Sequence, residues 1–225
     1  MYDCKTIYLR YKYPEFQSYR PKQIKQPTNK SIIHHDHRQR LRHREVNPSK
    51  CALIVIDIQS RFRSTSATIL QTVNRTISLC RSVNIPVIFI RHVDDPNYTL
   101  LGELWGNDIR FMEVPNNDFL PDLSIKNDDM VLEKYTYSCF QGTALEAKLK
   151  EMEVEEVIIT GVQTNMCCET TGREAFVKGF RVFFSTDATA TFTDQLQDAT
   201  LTNMAFAFAY LVDCDMLEMS FKTKA

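Results

Sequence analysis

The chain has 225 residues, 44% of them hydrophobic, enough for one domain of ordinary size with an appendage. No apolar run approaches the ~18–20 residues that cross a bilayer, so a membrane-spanning helix is excluded. The net charge of −1 conceals two compositions: residues 1–50 hold 12 Lys and Arg against four Asp and Glu, and the remainder holds 15 against 24.

Seven cysteines, scattered and without a CxxC pair, point to a reducing compartment and argue against a disulfide framework or a zinc ribbon. Residues 1–42 read as a basic, disordered tail before a folded domain over 43–225. Tyr2, Tyr8, Tyr11, Tyr13 and Tyr19 lie there among lysines and prolines with no sustained period. Without an apolar h-region the tail is not a secretory signal. A cytoplasmic location is expected, with an organelle address left open by the scarcity of acids. His34, His35, Asp36 and His37 offer metal donors without a structural frame. The basic run over 38–44 precedes no nucleic-acid-binding module, so no nucleic-acid partner is expected.

The folded part is expected to begin near Asn47 and Pro48. Residues 51–57 form an unbroken apolar run ending in Asp57, the pattern of a central parallel strand with a carboxylate at its chemically useful end. Asp57 reads equally as a cap of the following turn. Ile69, Val73, Ile77 and Cys80 share one helical face, and a second strand follows over 85–90. Residues 91–126 form a long irregular connection that holds Trp105, the only tryptophan; connections of this length usually serve function. A third strand over 130–133 leads to Lys134, placed to approach a carboxylate on a neighbouring strand, although most such lysines are merely solvated. Ser138 and Gln141 suggest a capping box for a helix reaching Met152.

Residues 157–159 are a β-branched strand. Gly161 permits a sharp exit, and Asn165 is the expected N-cap of a helix over 166–180. Cys167 would then lie at the positive end of a helix dipole, which favours thiolate over thiol. It reads also as a small buried hydrophobe. A fifth strand over 180–185, a turn over 187–193, a buried helix over 196–212 and a weak last strand over 213–219 complete the chain. The alternation predicts an α/β doubly wound, mostly parallel sheet. No GxGxxG or Walker loop is present, which argues against a dinucleotide or P-loop role.

Asp57, Lys134 and Cys167 thus stand at three strand ends. The segments ALIVIDIQ (52–59), VLEKYTYSCF (131–140) and TGVQTNMCCETTGREAFVKGFRVFFSTDATAT (160–191) resemble the isochorismatase-like cysteine hydrolase superfamily. GELWG around Trp105, RHVDDP after strand two and FAYLVDCD near the end resemble the plant-type nicotinamidases within it. The resemblance implies a six-stranded sheet of order 3-2-1-4-5-6, a nucleophile at Cys167, a general base at Asp57 and a supporting Lys134. It implies a non-proline cis peptide at Val162–Gln163, with the backbone N–H groups of Gln163 and Cys167 as oxyanion hole. It further implies substrate contacts from Phe62, Trp105 and Gln163, a small-molecule amide substrate, no cofactor, no membrane partner and a homo-oligomer.

Microbial nicotinamidases hold a metal with an Asp-x-His pair and a further histidine. Here that region reads Arg91-His92-Val93-Asp94-Asp95, with His92 the only histidine after His43, so no metal is expected. Gln163 stands where the plant-type group usually carries an apolar residue, and Gly172 where it usually carries Ala. The expected activity is conversion of a small amide to acid and ammonia, with nicotinamide the leading substrate. A ureido or carbamoyl hydrolase, an isochorismatase and a catalytically silent binding member are the rival readings; Cys167 argues against the isochorismatase, whose vinyl-ether cleavage needs no cysteine.

Overall fold

Six apolar runs become six strands of one sheet in the computed structural model, which describes residues 43–94, 99–105 and 117–222. The tail over 1–42 with its histidine cluster, and Asp95 of the region after strand two, lie outside the described residues. The strands are β1 (Cys51–Ile56), β2 (Val87–His92), β3 (Met130–Lys134), β4 (Glu156–Val162), β5 (Arg181–Ala190) and β6 (Ala209–Val212). Their order is 3-2-1-4-5-6 and all five pairings are parallel. The helices are α1 (Arg63–Ser82), α2 (Thr99–Trp105), α3 (Leu145–Glu151), α4 (Glu169–Val177), α5 (Asp194–Ala207) and α6 (Cys214–Lys222). Among the described residues no helix is long and apolar enough to cross a membrane.

The pleat divides the core into two layers, because successive strand residues face opposite sides. Leu53, Val55, Phe89 and Ile158 pack with Val73 and Ile77 of α1 and with Leu217 and Phe221 of α6. Ile54, Ile56, Ile88 and Ile159 pack with Leu145 and Leu149 of α3, Ala175 of α4 and Met204 of α5. Every residue of β1 and β4 is buried, as a doubly covered parallel sheet requires.

Four local expectations are corrected. The helix expected over 196–212 ends at Ala207, and Ala209–Val212 instead pairs with Val182–Ser185 as an edge strand. No glycine or proline marks that break, and sheet hydrogen bonding overrides helix propensity. The strand expected over 213–219 is α6, whose start is capped by Asp213: its carboxylate accepts from Met216 N at 2.7 Å. Ser138 and Gln141 do not cap a helix. The Ser138 hydroxyl donates to Glu174, and α3 begins at Leu145, where Thr143 Oγ1 accepts from Leu145 N at 3.1 Å. The turn expected over 187–193 is largely strand, since β5 continues to Ala190.

The order of strands reverses between β1 and β4, and their C-terminal ends meet at Ile56 and Gly161. Gly161 has φ +118°, and a Cβ there would lie 2.0 Å from the Ile56 carbonyl oxygen. Gly172 differs: it lies in α4, and its Cβ would crowd the terminal methyl of Met204 at 2.7 Å and touch the Phe184 ring at an ordinary 3.5 Å. Gly161→Ala should therefore cost more than about 3 kcal/mol or prevent folding. Gly172→Ala should stay within about 1 kcal/mol of the parent, the helix-propensity gain offsetting a small shift of Met204. Urea unfolding of both variants checks the contrast; equal losses would contradict it.

Candidate active site

Asp57 directly follows β1. Its backbone turns left-handed, with φ 54°, a conformation that Asp tolerates better than most residues. Its N–H donates to Ile90 O at 3.0 Å, which ties the turn to β2. Lys134 ends β3, two strands away from β1, so its long side chain must pass β2 to reach Asp57. It does so fully buried, and its ammonium lies 2.7 Å from Asp57 Oδ2. Cys167 approaches from the β4 side, within a π-helical turn (Thr164–Cys168) that leads directly into α4. Lys134 Nζ donates to Cys167 Sγ at 3.2 Å and to Thr136 O at 3.1 Å, and lies 3.5 Å from His92 Nδ1. The three residues read from strand ends are thus brought together at one buried point.

The electrostatics correct one expectation. A helix start was expected to favour the Cys167 thiolate, but burial pushes the thiol well above its ordinary value. The Lys134 ammonium pulls it back, while the charge of Asp57 pushes it up again. The side chain at rest is therefore a thiol beside a carboxylate that can take its proton. Lys134 is opposed by burial, yet the Asp57 carboxylate and the neighbouring thiols hold its ammonium above the usual range. Cys139, fully buried near the pair, is pushed by burial up to about 12. Cys168 is fully buried in the apolar layer beneath α4 and is likewise raised by burial.

The Val162–Gln163 peptide is cis, as the resemblance implied. The Gln163 carbonyl accepts from Met166 N at 3.0 Å and Cys168 N at 3.2 Å. Asn165 is not the helix N-cap. It lies inside the π-helical turn, and its side-chain oxygen accepts from Thr191 instead. The helix ends at Val177 rather than reaching 180. Phe62 is buried just before α1 and meets His92 edge-on at 6.5 Å. Trp105 ends α2, half-buried, and its Nε1 donates to the Tyr137 hydroxyl at 2.8 Å.

Three residues near the site were not singled out from sequence. Tyr137 connects Trp105 to the segment after Lys134 and is raised by its own burial. Gln59, wholly buried, holds the end of β2: Oε1 accepts from His92 N at 2.8 Å, and Nε2 donates to His92 O at 3.1 Å and Asn117 O at 2.7 Å. Gln59 lay inside the recognised segment over 52–59, and its contacts become visible only once β2 is alongside. Arg61 pairs with both oxygens of Asp94. That pairing, ahead of His92, holds the Asp94 carboxyl well below the usual carboxylate range.

Of the described residues at this end of β2, His92 and Asp94 are engaged elsewhere. Arg61 occupies both Asp94 oxygens, and His92 Nδ1 faces the Lys134 ammonium. Among the described residues no group of three or more His, Cys, Asp or Glu side chains is placed to hold an ion.

A family model described as the isochorismatase domain matches residues 51–216. The chain is 47% identical over 183 residues to nicotinamidase 3 of Arabidopsis thaliana, spanning 80% of this chain and 92% of that protein. It is 27% identical over 201 residues to a ureidoacrylate amidohydrolase of Serratia proteamaculans, spanning 75% and 81%. A crystal structure of a cysteine hydrolase from Pseudomonas syringae pv. phaseolicola superimposes with a TM-score of 0.72 at 25% identity, over 81% of this chain and 97% of that one. With its sheet order, its strand-end triad and a family match over most of its length, the chain belongs to the isochorismatase-family cysteine hydrolase superfamily.

Proposed function

We propose that the protein is a cysteine-dependent amidohydrolase that converts nicotinamide to nicotinate and ammonia. The observation that carries this reading is the convergence of Asp57, the Lys134 ammonium and the Cys167 thiol at one buried point. The identity to a plant nicotinamidase supports the choice of substrate.

In this reading Asp57 accepts the thiol proton as Cys167 Sγ bonds to the amide carbon, and the carbonyl electrons move onto oxygen. The backbone N–H groups of Gln163 and Cys167 hold that oxyanion. The C–N bond then breaks, Asp57 returns the proton to the departing nitrogen, and ammonia leaves a thioester on Cys167. Asp57 next takes a proton from water, whose oxygen attacks the thioester. The acid departs and Sγ recovers its proton. Lys134 keeps a positive charge beside the group that is negative at each stage. Phe62 and Trp105 form the walls for the flat ring, and no step requires a metal.

Ammonia release from a panel of small primary amides tests the function, with nicotinamide expected to give the highest kcat/KM. Release from ureido or carbamoyl compounds alone would move the assignment to that class. Cys167→Ala should lower kcat by about 10⁴-fold or more, whereas Cys168→Ala should retain most activity, since successive helical residues point ~100° apart. Equal losses in folded proteins would contradict the nucleophile assignment.

Asp57→Asn separates the base from the nucleophile's acidity. Turnover should fall about 10²–10⁴-fold. Alkylation of Cys167 by iodoacetamide at a fixed neutral pH should become faster, because the carboxylate that raises the thiol is gone and the Lys134 ammonium remains. Slower alkylation would contradict this picture of the resting thiol.

Trp105→Ala should raise KM roughly tenfold with a smaller change in kcat. Dialysis against a chelator should leave the rate unchanged. Loss of activity restored by zinc or manganese would place an ion after β2.

A further inference from the structure

Gln163 carries a polar group that the chemistry above leaves unused. Its backbone carbonyl accepts from Met166 N and Cys168 N, the residues on either side of Cys167. Its side chain is 3% exposed. Nε2 makes one long contact, donating to Thr65 Oγ1 at 3.4 Å, and Thr65 lies in the first turn of α1, three residues after Phe62. Oε1 is buried and has no hydrogen-bond partner among the described residues. A buried amide oxygen without a donor is costly, and such a group persists where a ligand supplies the donor.

We propose that Gln163 Oε1 accepts one N–H of the substrate's own carboxamide and so selects primary amides over esters. The inference rests on the amidohydrolase reading. In this proposal the substrate oxygen takes the backbone N–H of Gln163, and the nitrogen on the same carbon is turned toward that residue's side chain. When the carbon becomes tetrahedral, the nitrogen lone pair must face Asp57 to receive the proton. Its two hydrogens then point away from Asp57 and need acceptors. Gln163 Oε1 is the acceptor assigned to one of them, and by holding that hydrogen it would turn the lone pair toward the acid. An ester oxygen brings no hydrogen and gains nothing from Gln163. The unpaired oxygen repels it, as a site built for a hydrogen bond rejects an analogue that lacks the donor.

The test compares kcat/KM for nicotinamide and for methyl nicotinate in the full chain and in Gln163→Met, which keeps the length of the side chain but not the acceptor. Hydrolysis of nicotinamide should fall roughly tenfold or more, while methyl nicotinate is cleaved as well as before or better. Gln163→Glu restores an acceptor in the same place and should retain more amide activity than the methionine variant. Gln163→Leu repeats the comparison if the methionine variant unfolds. Parallel losses on both substrates, or no loss on the amide, would overturn the inference while leaving the amidohydrolase reading intact. A parent protein that cleaves no primary amide would overturn the reading, and the inference with it.

Discussion

The buried ion pair between Lys134 and Asp57 is the constraint on which the site depends. Two charges removed from water are tolerated only when each supplies what the other lacks. Lys134 donates to Thr136 O and Cys167 Sγ, and its ammonium faces Asp57 Oδ2 as an ion pair at 2.7 Å. Remove either charge and the survivor is left buried without its counterion, which typically costs 3–5 kcal/mol. The same pair acts on the proposed nucleophile: burial raises the Cys167 thiol, the Lys134 ammonium lowers it and the charge of Asp57 raises it again.

The sheet makes this pair attainable. Because β2 separates β3 from β1, only a long side chain ending in a compact charge reaches Asp57 from β3. Because the order reverses between β1 and β4, Cys167 arrives from the opposite side. Gly161 lets the β4 backbone pass against Ile56 at that junction, where any side chain would collide with the carbonyl oxygen. Gln59 then ties the end of β2 to the turn after β1, which holds the entry to the site in register.

Much of this was legible in the sequence, for physical reasons that differ by residue. Unbroken β-branched runs identify central parallel strands, so β1 and β4 and the polar residues at their ends could be read directly. The sheet order and the cis peptide came from the resemblance, since spacing alone does not order strands. What stayed hidden depends on tertiary partners. Ala209–Val212 has the composition of a helix end and becomes a strand only because β5 offers it hydrogen bonds. The state of Cys167 was misjudged because its position at a helix start is a local property, whereas its burial and its distance to Asp57 are not. Tyr137 and Arg61 carry no distinctive spacing, and their partners Trp105 and Asp94 lie 32 and 33 residues away.

The buried pair and the adjacent thiol are the groups that the proposed covalent catalysis at one sulfur requires. The central claim is therefore the thioester, and rapid acid quenching during nicotinamide turnover followed by peptide mass analysis tests it most directly. The account predicts one nicotinoyl group on the peptide that contains Cys167, lost on further incubation without substrate. Turnover that proceeds with no such adduct, or with the acyl group on Cys139 or Cys168, would contradict it.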